Sequence, residues 1–106
     1  MGVFMKYKLK PVHAGDVLLQ EFMEPLNITV YKLAQYTGMS QTRIGQIIKK
    51  KRGISVDTAL RLAKVFDTSA AFWLNIQNKY DIDIAVGKHS KEIEALQPIK
   101  HIAFQS

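Results

Sequence analysis

Residues Gln41, Thr42, Arg43 and Gln46 place two amides, a hydroxyl and a guanidinium within six positions of one another. Side chains of these types can read base edges in a DNA major groove. Glutamine pairs bidentately with adenine and arginine with guanine, while threonine bonds or touches a thymine methyl. Four cations follow closely: Lys49, Lys50, Lys51 and Arg52. Between Arg43 and Lys64, seven cations stand against the single anion Asp57, a net +6 that equals the excess of the whole 106-residue chain. Charge located this tightly suits a polyanionic partner and equally a solvated surface that keeps the protein soluble, and charge alone does not choose between them. Cations at a helix end also complement the helix dipole, but one or two suffice for that. Phosphate contact by Ser40, Lys49, Lys50, Lys51 and Arg52 is the fuller account, because such contacts fix register on a duplex without reading its sequence.

Taken singly, Gln41, Thr42 and Gln46 are ordinary soluble helix surface; the frame that carries them makes them a set. Ser40 is placed to cap a helix in which Ile44, Ile47 and Ile48 recur at i, i+3 and i+4, which turns the polar residues outward. Gly45 lies between Ile44 and Gln46 without a side chain. A glycine inside a helix costs about 1 kcal/mol relative to alanine, and close approach of a partner would offset that cost. Upstream, Thr29 caps a short helix with Val30, Leu33 and Ala34 on one face, and Gly38 ends it in the left-handed conformation. Thr37, Gly38 and Met39 join the two helices. A connection so short forces a steep crossing, the helix-turn-helix arrangement whose second helix enters the major groove. Ala34 is small at the closest approach, and Leu33, Met39, Ile44 and Ile47 supply the apolar seam.

The remaining apolar spacing is helical almost throughout. A first helix starts between Ala14 and Asp16 with His13 helping to cap it. It carries Val17, Leu18 and Phe22 inward and stops at Glu24, because Pro25 disfavours the α region before it. Gly53 closes the third helix. Ser55 caps a fourth with Val56, Ala59, Leu60, Ala63 and Phe66 as its inward stripe. A fifth begins after Thr68 or Ser69 and fades between Asp83 and Gly87, and Ser90 to Leu96 forms a further short piece ahead of Pro98. Phe72 and Ile76 are expected in the core. Trp73 and Tyr80 are expected at a dimer contact, since large aromatics are enriched in interfaces; the segment 90–102 is an alternative. The expected architecture is all-α with five helices. Residues 12–86 form the DNA-binding domain, between an N-terminal extension (1–11) and a C-terminal one (87–106).

Other classes are disfavoured. No apolar run reaches 18 residues, so no transmembrane helix is expected. The opening "MGVFMKYKLK" has no secretory h-region. Cysteine is absent, which removes disulfide and thiolate chemistry. The expected compartment is the cytoplasm, with no membrane partner. His13, His89 and His101 show no metal-ligand spacing. Asp81 and Asp83 are two apart and do not face each other on a helix. No glycine-rich phosphate loop follows a strand. Neither catalysis, a metal nor a cofactor is expected.

Three stretches carry a family likeness. "PVHAGDVLLQEFMEPLNIT", "YKLAQYTGMSQTRIGQIIKKKRGISVDTALRLAKVFDTS" and "AAFWLNIQNKYDI" resemble the opening segment, DNA-binding core and Phe-Trp-Leu-Asn-Leu-Gln signature of the HigA antitoxins, whose helix-turn-helix is of the phage-repressor (lambda-repressor-like, XRE) type. The likeness covers about Val12 to Ala85. It implies a homodimer that binds double-stranded operator DNA and represses its own type II toxin–antitoxin operon. It also implies a partner, a HigB-like messenger-RNA endonuclease toxin that the antitoxin neutralises. Gln41, Thr42 and Gln46 occupy positions that read bases in similar repressors. The chain departs from the pattern at Ala14 and Ala70, where the family often has proline. It departs again at Val30, where related repressors often place a phosphate-contacting glutamine. The alternative reading is a stand-alone helix-turn-helix regulator without a toxin. A basic ribonuclease, the third class, lacks a catalytic constellation.

Overall fold

The computed structural model describes residues 10–100, and the start of the N-terminal extension and the last six residues lie outside the described residues. Five helices form the described chain: α1 (Ala14–Val17, continued by a π-helical turn, Leu18–Met23), α2 (Val30–Thr37), α3 (Gln41–Ile48), α4 (Val56–Phe66) and α5 (Ala70–Glu94). No strand occurs among the described residues.

Capping explains where the helices begin. The hydroxyls of Thr29, Ser40, Ser55 and Ser69 accept the backbone N–H of Lys32, Arg43, Thr58 and Phe72 at 3.0–3.2 Å. Each satisfies a donor that a helix start leaves unpaired. His13 does the same for α1 through its ring, with Nδ1 accepting from Gly15 N–H at 2.8 Å. Helix ends use left-handed residues: Asn27, Gly38, Lys50 and Asp67 have φ of 55°, 74°, 63° and 56°.

Three expectations about the elements change. Glu24 remains helical (φ −65°, ψ −49°) although Pro25 follows it. The chain widens to i+5 bonding, with Glu24 N–H on the Leu19 carbonyl at 2.9 Å and Ile28 N–H on Met23 at 2.8 Å. A shift of one residue accommodates a ring that would otherwise meet the carbonyl one turn back. Next, α3 ends at Ile48, before Gly53: Lys50 takes the left-handed position and Lys51 N–H bonds the Gln46 carbonyl at 2.9 Å. Finally, α5 runs on to Glu94, broken in regularity only at His89 (φ −122°, ψ 15°).

The core gathers Leu18, Met23, Leu33, Met39, Ile44, Ile47, Ile54, Ala59, Leu62 and Trp73, with Ala14 where α1 starts. The predicted seam of the helix-turn-helix is buried as expected. The stripe on α4 is met in part: Ala59 is fully buried and Ala63 and Phe66 pack against the core, whereas Val56 and Leu60 are 61% and 57% exposed and Leu62 is fully buried in their stead. Trp73, expected at a dimer contact, is 0% exposed, and Phe72, expected in the core, lies at its edge with 38% exposed. The indole stacks at a tilt on Phe22 with centroids 5.0 Å apart, and its N–H donates to Thr68 Oγ1 at 2.8 Å. A large aromatic whose one polar atom finds a partner settles in a core. Trp73 is therefore unavailable to a second copy without unfolding.

Candidate nucleic-acid interface

The outward strip begins with the pinning of α3. Ile44 and Ile47 are fully buried, which fixes the helix rotation and leaves the opposite face outside. Gln41, Thr42, Gly45, Gln46 and Lys49 line one shallow concavity on that face, joined by Lys51 from the following turn and Val30 from the first turn of α2. The sequence placed five of these seven as base-reading or phosphate-binding residues, and the fold gathers those five.

Other expected contacts go elsewhere. Ser40 Oγ accepts Arg43 N–H as the expected cap and lies outside the residues that line the concavity. The Lys50 ammonium lies 3.7 Å from the Asp16 carboxylate, toward α1. Arg52 is exposed but outside the concavity. Arg43 departs most from expectation. Its Nη2 donates to Asp57 Oδ2 at 2.7 Å, and its Nε donates to the buried Thr58 hydroxyl at 3.2 Å. The guanidinium therefore faces the start of α4 and not the concavity. Side chains alternate around a helix at 100° steps, so Arg43 falls between the strip and the buried isoleucines.

The same carboxylate has a second role. Asp57 Oδ2 also accepts from Arg61 Nε at 2.9 Å, and Arg61 Nη1 donates to the Thr37 carbonyl at 2.8 Å, at the end of α2. One anion in the first turn of α4 thus ties together both helices of the helix-turn-helix. The Arg43 hydrogen bond, then that of Arg61, holds the Asp57 carboxyl below its usual range. Sequence reasoning missed this role, yet the signal was present: Asp57 is the lone anion among seven cations.

Helix α1 braces the far end of α3. A Cβ on Gly15 would lie 1.9 Å from the Ile47 carbonyl oxygen, so the two backbones touch where only glycine fits. His13 beside it is 3% exposed, with its ring edge-on to Tyr80 at a centroid distance of 4.8 Å. Burial pushes the His13 pKa down, against the opposing pull of Asp16 and Asp81. Tyr80 itself remains half-buried. No group of three His, Cys, Asp or Glu among the described residues is arranged to hold a metal. No described helix is long and apolar enough to cross a membrane.

A helix-turn-helix family model matches residues 19–73, which span α1 through the start of α5. Antitoxin HigA-1 of Vibrio cholerae is 30% identical over 94 residues, covering 89% of this chain and 89% of the relative. The antitoxin HigA of Pseudomonas aeruginosa, solved with the higBA promoter, superposes with a TM-score of 0.81 at 36% identity, over 85% of this chain and 99% of that one. The chain belongs to the HigA-type helix-turn-helix family. It is a DNA-binding regulator of HigA-like antitoxin type, in a family of DNA-binding proteins and not of enzymes. It is also similar to an uncharacterized HTH-type transcriptional regulator of Escherichia coli, YbaQ, at 40% identity over 73 residues, 69% of this chain and 65% of that protein.

Proposed function

We propose that this HigA-type chain acts as a homodimer that represses its own operon and neutralises a HigB-like toxin encoded beside it. The observation that carries the DNA half is the strip in which Gln41, Thr42 and Gln46 share one concavity with Lys49 and Lys51. Amides and a hydroxyl face the bases while ammonium groups meet the flanking phosphates. The likeness to Pseudomonas aeruginosa HigA, solved with the higBA promoter, supports promoter DNA as the partner. The toxin half is supported by the family.

Two measurements test the halves separately. A gel shift with the chain's own promoter, against unrelated DNA of equal length, is expected to show operator preference that Gln46→Ala weakens. Co-expression with the neighbouring gene is expected to relieve growth arrest and to yield a complex on pull-down. If arrest persists and nothing is captured, the toxin reading fails while the DNA reading stands. In that case the likeness to YbaQ, an HTH-type transcriptional regulator, supports the alternative of a stand-alone regulator.

A further inference from the structure

Gly45 lies in the middle of the strip, and no turn or positive φ calls for a glycine there. Gly15, Gly38 and Gly53 each have a neighbouring atom at or within 3.0 Å of where a Cβ would stand, whereas the same point over Gly45 and over Gly87 of α5 has nothing within 4 Å, and of these two only Gly45 lines the strip. The fold therefore carries the unfavourable propensity of a mid-helix glycine without any internal packing reason. The opening over Gly45 belongs to the concavity lined by Thr42, Gln46 and, from α2, Val30. A valine and a threonine methyl thus stand beside two amide side chains, Gln41 and Gln46, with Lys49 and Lys51 in the same hollow.

The combination specifies a ligand. The lysines draw a duplex toward this face, the amides pair with base edges, and the bare Cα between them leaves room for one carbon atom. The thymine 5-methyl is the apolar projection that the major groove offers. We propose that Gly45 and Val30 form a notch that receives the 5-methyl group of one thymine in each operator half-site. This rests on the operator-binding reading above. It also gives Val30 a role: an apolar wall at a position where a glutamine side chain would fill the notch with polar atoms.

An alanine Cβ is itself one methyl group, so Gly45→Ala puts a protein methyl where the base methyl belongs. The substitution should have opposite effects on fold and binding. With open space around it, alanine should raise the melting temperature, by about 4–8 °C for a domain of this size. Operator affinity should fall about tenfold. Independently, thymines of the promoter are replaced one at a time by uracil, which lacks only the 5-methyl. Wild type is expected to lose about fourfold at one position per half-site, the effect of one buried methyl group. Gly45→Ala is expected to be indifferent at that position. Wild type that binds the promoter with no thymine methyl mattering, or a Gly45→Ala protein that binds as tightly as wild type, overturns the notch alone. Wild type that binds no promoter fragment overturns the operator reading and the notch with it.

Discussion

Asp57 shows how one side chain can matter to a DNA surface without touching DNA. Its carboxylate subtracts from a basic face, so on net charge alone Asp57→Asn should tighten binding to every sequence. Geometry predicts the reverse for the operator. The carboxylate holds Arg43 of α3 and, through Arg61, the end of α2. A neutral amide in its place would keep the shape and weaken both charge-assisted bonds. The expected result is a ratio of operator to non-specific affinity reduced several-fold, with non-specific affinity unchanged or higher. A ratio that stays at the wild-type value would reduce Asp57 to a surface charge.

His13 gives a second test, set by pH. Its pKa is lowered from 6.5 in the fold, first by burial, so the folded chain binds fewer protons than the unfolded chain. The associated stability is complete above 6.5 and is lost as pH falls through the lowered folded value. Asp16 and Asp81 oppose the shift and Lys50 adds to it, while Tyr80 covers the ring edge. Asparagine caps a helix without titrating here. His13→Asn is therefore expected to flatten the fall in melting temperature between neutral and mildly acid pH; an unaltered slope would place the titrating group elsewhere.

At the scale of the elements, α3 is a recognition helix held from three directions: by its isoleucines, by Asp57, and by α1 pressing on its last turn. The third contact predicts a contrast between two glycines. Gly15→Ala must displace the Ile47 carbonyl, which is backbone and cannot rotate away. Overpacking of that kind costs about 1–3 kcal/mol, readable as a lower urea midpoint with m unchanged, and an unaltered midpoint would mean α1 can slide. The same contact shows where the sequence was legible. The capping residues Thr29, Ser40 and Ser55 and the isoleucine spacing are local signals, and they placed the starts of α2, α3 and α4 and turned Gln41, Thr42 and Gln46 outward. The stripe on α4 was legible at Ala59, Ala63 and Phe66 but not at Val56 and Leu60, which are apolar yet exposed, because apolar spacing alone does not say which of two overlapping faces meets the core. Trp73 lies deeper than expected and Phe72 shallower for the same reason. Arg43, Asp57 and Gly15 act through partners 14 to 32 residues away in the chain, a separation no periodicity reports.

At the scale of the whole molecule, the question is how many copies of the strip act together. One strip offers Lys49 and Lys51 once, and a two-fold dimer offers them twice, on half-sites about 34–36 Å apart. Counterion release makes that count measurable, because each phosphate contact adds about 0.9 to the log–log slope of affinity against salt. Replacing both lysines by alanine should flatten the slope by about 1.8 for a single bound copy and by about 3.6 for a dimer. Lys88 lies on α5, is not among the residues that line the concavity, and serves as the control. Its replacement lowers the net charge without removing a phosphate contact and should leave the slope nearly unchanged. A loss of about 3.6 would establish both the phosphate role of the two lysines and the pairing of two strips on one operator. A loss of about 1.8 would keep the role and reject the dimer, and no loss would return the lysines to the solvated end of a helix.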